Sequence, residues 1–301
     1  MKKFDVCVVG GCSVDITYYA DAGQTKVFFG GKGANQAVAC SRAGARTCIV
    51  TKLGEDKYTD LIVGNLEKAG VTTFVDVVSG EQNDIAKITI RDGDNSIERS
   101  GKIITYFDDE LIDKYKQVIL ASKYVILQNK ASYDFTKSLI EFCYENGIRT
   151  ILTPTKPQQL SVVANENNAE ILNKVTYICA NEKEAVAVFG ENSVENIVKK
   201  HKNQLIITLG GKGLIYSNNK EVVKLPAITV KQVVDTTGAG DTFCGNFVAN
   251  LAVGVPFDEA VYLAQFASAY KIGYESAQIG MPTKQELEEF VRGYHGNRAK
   301  I

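Results

Sequence analysis

Asp235-Thr236-Thr237-Gly238-Ala239-Gly240-Asp241 runs directly into the apolar stretch Thr242-Phe243-Cys244-Gly245-Asn246-Phe247-Val248. Small residues at 238 to 240 let the backbone turn tightly and expose several N–H groups at the start of a helix, where the helix dipole also favours negative charge. The stretch reads as an anion cradle of the kind phosphoryl transfer needs. A carboxylate beside a cradled phosphate would be repelled as a ligand, so Asp241 makes better sense as a base that takes the proton of an attacking hydroxyl. Read alone, the same residues also describe a Gly-rich turn before a helix capped by Asp235 or Asp241.

A second stretch decides between these readings. Gly30-Gly31-Lys32-Gly33-Ala34-Asn35-Gln36-Ala37, followed by Gly44 and Gly54, places another Gly-rich loop before a helix near the N-terminus. With both in hand the chain resembles the ribokinase-like (phosphofructokinase-B, PfkB) family of sugar kinases, whose signatures are a GG-K-G-x-N loop near the start and a D-T-x-G-A-G-D segment near the end. Phe29 to Ala39, FGGKGANQAVA, is nearest to the ribokinase branch. Asn181-Glu182-Lys183-Glu184 is similar to the family's N-x-x-E motif, Thr208 to Gly213 resembles its nucleotide loop, and Ala277 to Pro282 is a weaker match. The resemblance implies an α/β fold, a three-layer α/β/α sandwich with a mostly parallel central sheet and a small β lid, within a single kinase domain over residues 1–301.

The apolar periodicity agrees with alternating strands and helices. Strand-like runs at Val6-Val9, Thr47-Lys52, Tyr124-Leu127, Thr150-Thr153, Tyr177-Ala180 and Leu205-Leu209 are separated by helix-length segments at Ala34-Ala43, Tyr58-Ala69, Asp134-Asn146, Glu182-Phe189 and Val194-His201. Such alternation predicts parallel strands joined by crossover helices, buried on both faces. Beyond Leu209 a hairpin is expected at Gly213-Ser217 and Val222-Leu225 around Asn218-Asn219, then three helices from Asp241 to Tyr294. Asp15-Phe29 and Ala86-Gly101 fall outside this rhythm, with short strands broken by turns such as Asp92-Gly93-Asp94-Asn95. In the family, strands at these positions form the lid and often a homodimer contact, although the span from Asp15 to Gly30 is short, as though the first hairpin were trimmed.

By the same resemblance, Asp241 is the catalytic base and the backbone of Gly238, Ala239 and Gly240 is the anion hole. Asp15, Gly31, Lys32 and Asn35 match the sugar-binding positions. Asp and Asn suit a polyol, whose paired hydroxyls need paired partners. Where the family commonly carries a sugar-contacting glutamate, this chain reads Gln128-Asn129-Lys130, so Asn129 is expected there without charge. Thr208, Gly210, Gly211, Gly213 and Asn181 are the nucleotide candidates, with Gln265 and Ser268 near the adenine. Glu184, i+3 from Asn181, would organise water around Mg²⁺; as plain sequence the pair also reads as a helix cap and a solvated glutamate. Asp235, Thr237, Ser276 and Gly280 resemble the monovalent-cation site that activates many of these kinases, so ATP, Mg²⁺ and K⁺ are the implied ligands. Asn246, where the family has Gly or Ala, and Tyr274-Glu275-Ser276, without the usual basic-glycine pair, are departures.

Composition excludes much else. In 301 residues, 34 Lys and Arg oppose 35 Asp and Glu for a formal net charge of −1, with no basic block to bind nucleic acid. No apolar run is long enough to span a bilayer. Met1 to Gly11, interrupted by Asp5, reads as a first strand rather than a signal peptide. Seven scattered cysteines without a C-x-x-C pair read as buried, reduced thiols in a cytoplasmic protein. The chain lacks G-x-x-x-x-G-K-[ST] and a true G-x-G-x-x-G, and its two histidines, His201 and His295, leave little material for zinc or Ser-His-Asp chemistry. The rival readings are a nucleoside kinase of the same family and a non-catalytic sugar-binding regulator.

Overall fold

The computed structural model describes residues 2–91 and 94–298. Thirteen strands are assigned among them: β1 (Phe4–Val9), β2 (Ser13–Tyr19), β3 (Gln24–Gly30), β4 (Thr47–Gly54), β5 (Thr72–Val78), β6 (Ile85–Arg91), β7 (Asp94–Ser100), β8 (Ser122–Gln128), β9 (Arg149–Thr153), β10 (Tyr177–Asn181), β11 (Leu205–Thr208), β12 (Leu214–Ser217) and β13 (Val222–Leu225). The helices are α1 (Lys32–Arg42), α2 (Thr59–Lys68), α3 (Asp109–Leu120), α4 (Tyr133–Glu145), α5 (Asn167–Asn173), α6 (Glu182–Phe189), α7 (Val194–Lys200), α8 (Ala239–Ala252), α9 (Phe257–Lys271) and α10 (Lys284–Arg298).

Nine strands form one sheet in the order β13-β12-β11-β10-β9-β8-β1-β4-β5, parallel except for the antiparallel edge made by β12 and β13. Strands buried on both faces carry continuous apolar runs, and β1 is buried at every position. Because side chains alternate along a strand, Cys7 and Val9 enter one core with residues of α3 to α7, while Val6 and Val8 enter the other with residues of α1, α2, α8 and α9. The result is a three-layer α/β/α sandwich. β1 pairs with β4 on one side and β8 on the other, so the winding reverses there, and the carboxyl ends of the strands near such a reversal are where ligands bind in open α/β sheets.

The two segments outside the rhythm pair with each other as a second sheet, in the order β3-β2-β6-β7. The first of them is a hairpin with seven paired positions, from Ser13↔Gly30 to Tyr19↔Gln24. Asp92-Gly93, from the turn singled out in the sequence, lies outside the described residues. All seven cysteines are free and buried. Among the described residues no helix is long and apolar enough to cross a membrane.

Candidate active site

Asp241 lies in the first turn of α8, which opens at Gly238 with φ 79° and ψ −1°. A β-carbon at 238 would lie 2.2 Å from the Ala277 carbonyl oxygen, so both conformation and space require glycine there. Among the described residues the backbone N–H groups of Gly238, Gly240 and Asp241 meet no acceptor, as expected at a helix start. Ala239 departs from expectation. Its N–H donates to Thr236 O at 3.2 Å and closes the turn, so it is not one of the free donors.

The Asp241 side chain is 9% exposed. Its Oδ2 accepts from Asn35 Nδ2 at 2.9 Å and its Oδ1 from Gln36 Nε2 at 3.0 Å, both on the first turns of α1. These amides are themselves fixed. Gln278 Nε2 donates to Asn35 Oδ1 at 3.1 Å, and Gln128 Nε2 to Gln36 Oε1 at 2.6 Å. Burial pushes the Asp241 carboxyl above its ordinary range, opposed by the charge of Lys32 and the bonds from Asn35 and Gln36. A carboxylate whose pKa is raised is a stronger base than one in water.

Two cavities meet at this residue. The first, about 220 Å³, is lined by Asp241, Gly238, Gly240, Lys32 and Gln36, by the strand ends Thr153, Asn181 and Thr208, and by Glu184. The second, about 660 Å³ and largely apolar, is lined by Gly210, Gly211, Gly213, Gln265, Ser268 and Ala239. Thr208, Gly240 and Phe243 belong to both walls. Gln265 Nε2 is held by Pro226 O at 2.8 Å and Ser268 Oγ by Ala239 O at 2.7 Å, so these groups shape the larger cavity with atoms already partnered.

Asn181 and Glu184 form a capping box. Asn181 Oδ1 accepts from the Glu184 N–H and Glu184 Oε2 from the Asn181 N–H, each at 2.9 Å. The Asn181 side-chain oxygen caps α6, while the residue itself lines the first cavity. Glu184 keeps Oε1 toward the first cavity, 3.6 Å from Lys32 Nζ. No group of three or more His, Cys, Asp or Glu able to hold a metal occurs among the described residues. The Glu184 oxygen left outside the capping box, Oε1, fits Mg²⁺, which keeps several waters and takes its other oxygens from phosphates.

The acceptor side is less as expected. Asp15, on β2, stands against the Gly30-Gly31 turn, with Oδ2 2.8 Å from where a Gly30 β-carbon would be. Burial raises its carboxyl, opposed by Arg99, Ser13 and Lys130. Asn129 is a correction. It is fully buried, its Nδ2 donates to Lys156 O at 2.6 Å, and its Oδ1 accepts from the Thr155 and Lys156 N–H groups at 2.6 and 3.1 Å. It staples a loop and, being fully buried, presents no surface to a sugar. Lys130, one residue on, lies 3.9 Å from Asp84 Oδ2, and burial raises the Asp84 carboxyl against that charge and the Ile103 N–H. Sequence reasoning missed Gln36, Asp84 and Lys130; only Lys130 carried a signal, as a charge beside the departed motif.

The monovalent-cation candidates gather around Asp235. Burial would raise its carboxyl, but the Thr237 hydroxyl and N–H, Lys271 and the Ser276 N–H together hold it below its usual value. Ser276 has φ 60°, and a β-carbon at Gly280 would strike the Tyr274 ring. Into this cluster comes a residue not singled out in the sequence. Lys271 Nζ donates to Asp235 O at 3.3 Å and Tyr274 O at 3.0 Å. A potassium ion among these carbonyls would share them with an ammonium already present, and like charges so close repel in a buried setting. The residues here do not fit potassium.

Fold and site together define a phosphotransferase with an alcohol group as acceptor. The chain belongs to the pfkB family of carbohydrate kinases, whose profile matches residues 3–284. It is 32% identical to the ribokinase of Bacillus subtilis (strain 168) over 302 residues, covering 95% of this chain and 99% of that one. It superposes on a ribokinase structure from Thermotoga maritima with TM-score 0.81 at 31% identity, covering 96% and 99% of the two chains. It also superposes on an Arabidopsis thaliana ribokinase complexed with ribose and ATP, with TM-score 0.83 at 24% identity and the same coverage. The protein is a sugar kinase of the ribokinase family.

Proposed function

We propose that the protein transfers the terminal phosphoryl group of ATP to a primary hydroxyl of a small sugar, ribose or a similar furanose, with Asp241 as general base. The observation that carries this reading is the raised, hydrogen-bonded carboxylate of Asp241 beside three free N–H groups, where a small cavity lined by Asp241, Lys32 and Glu184 meets a larger, largely apolar one. The acceptor oxygen gives its proton to Asp241 as it bonds to phosphorus, and the bond to the bridging oxygen of ATP breaks, with ADP leaving with the electron pair. The N–H groups of Gly238, Gly240 and Asp241, together with Lys32, stabilise the charge on the moving group; a preorganised donor of this kind is worth about 3 to 4 kcal/mol. Magnesium, when bound, neutralises phosphate charge, and Glu184 Oε1 would hold one of its waters.

ATP fits the larger cavity, with its phosphates toward Thr208 and Gly240 and its base toward Gln265. Asp15, Gly31 and Asn35 are the sugar-facing set, with Asp84 and Lys130 replacing the role expected of Asn129. The chain acts as one kinase domain in which the four-stranded sheet serves as lid. Tyr18 and Val27, both exposed, share the sheet face opposite Asp15, which supports a homodimer built on that face. The buried, reduced thiols suit a cytoplasmic setting.

The test is ADP release with Mg²⁺ across ribose, deoxyribose, fructose, other sugars and nucleosides. Selective turnover of a pentofuranose is expected. A strong preference for nucleosides would replace the acceptor, and no turnover with any of them would leave the sugar-binding regulator.

A further inference from the structure

Lys271, the last residue of α9, is completely buried. Buried lysines are rare because the ammonium loses its hydration, and they persist where oxygens replace the lost water. The oxygens here come from the two loops that flank the turn at Gly238. On one side the Val234 and Asp235 N–H groups donate to Ile272 O at 2.8 and 3.2 Å, and the Thr237 N–H donates to Asp235 Oδ1 at 2.8 Å. On the other, the segment after Tyr274 brings Ala277 O against Gly238. Lys271 Nζ joins the two through Asp235 O and Tyr274 O. Burial lowers its pKa and the Asp235 charge opposes that shift.

We propose that the Lys271 ammonium is a built-in monovalent cation, which braces the anion turn from beneath and makes the protein independent of dissolved potassium. Its consequence for turnover rests on the kinase reading above; the occupancy itself stands on the geometry. An alkylammonium head and a potassium ion carry the same charge, and both are satisfied by a cage of carbonyl oxygens. Tethering the cation to α9 removes the cost of capturing a free ion. Shortening residue 271 would leave the same carbonyls around an empty buried space, which a free cation could then enter.

Two readouts test this. Unfolding temperature and ATP-dependent phosphorylation of ribose are measured for the wild type, Lys271→Ala and Lys271→Met in potassium, ammonium and sodium chloride at equal ionic strength. The wild type is expected to show the same values in all three salts. Lys271→Ala is expected to lose stability and turnover in sodium and to regain turnover by about tenfold in potassium or ammonium, the usual scale of coupling between two sites, with its unfolding temperature rising in parallel. Lys271→Met, which fills the space without charge, should regain neither. A wild type that is stabilised or accelerated by potassium over sodium overturns the proposal, as does a Lys271→Ala protein indifferent to the cation. If Lys271→Ala does not fold, the wild-type salt profile decides alone, a flat one supporting the proposal. If the wild type turns over no sugar, the kinase reading fails while the unfolding series still decides the occupancy.

Discussion

At the scale of the residue, one carboxylate is tuned by four neighbours, Lys32, Asn35 and Gln36 lowering its pKa and Glu184 raising it. Burial raises Asp241, and Lys32 is the largest opposing influence, ahead of Asn35 and Gln36. The base works only when ionised, so turnover should fall on the acid side at a pH above the ordinary aspartate range. Replacing Lys32 by Met removes an influence that lowers the pKa, so the acid limb of the kcat/KM profile should move to higher pH; a limb that stays put or moves down contradicts the assignment. The same burial has a stability sign. The folded state holds this proton more tightly than the unfolded chain does, so the contribution of Asp241 is fully present below the unfolded pKa and is lost as pH rises through the folded one.

At the scale of the element, the site exists because α1 and α8 lie unusually close. A β-carbon at Gly245 would come 2.4 Å from Ala39 Cβ and 2.9 Å from both Cys40 N and Gln36 O. That contact sets how near the Asn35 and Gln36 amides come to Asp241. Gly245→Ala should therefore cost about 1–3 kcal/mol, as overpacking does, and lower kcat through the displaced amides, measured by denaturant unfolding and steady-state kinetics. Unchanged kcat with lowered stability would show that the helix spacing does not tune the base. The sequence made most elements legible, since β1, β4 and β8 to β11 are short runs rich in apolar and β-branched residues and Gly-rich loops mark the starts of α1 and α8. It left β5 unread because that strand is a half-exposed edge interrupted by Asp76. The Gln36–Asp241 bond spans 205 residues of sequence, and the Lys271 contacts follow from where α9 ends. No local pattern records such pairings. Asn129 was misread because sequence order alone does not say whether a polar side chain faces a cavity or a neighbouring loop.

At the scale of the whole molecule, the two sheets have separate tasks. The nine-stranded sheet delivers Thr153, Asn181 and Thr208, at the ends of β9, β10 and β11, to one cavity wall. The four-stranded sheet carries Asp15 on one face and the exposed Tyr18 and Val27 on the other. If that outer face joins two copies, Val27→Asp should shift sedimentation from dimer to monomer, because a charge placed in an apolar contact must be desolvated; a wild type that is already monomeric at high concentration contradicts the dimer. The sheet is also tied to the body through Lys26 and Glu275, 2.8 Å apart but both well exposed, a pair expected to add little stability. In the proposed mechanism these parts serve proton removal at one position. The most direct test is therefore turnover of the best acceptor by Asp241→Ala, with ATP affinity and unfolding temperature measured on the same preparation. The account predicts that turnover falls by about 10²- to 10⁴-fold, the usual contribution of a general base, while ATP still binds and the protein stays folded. Near-normal turnover in that variant would contradict it.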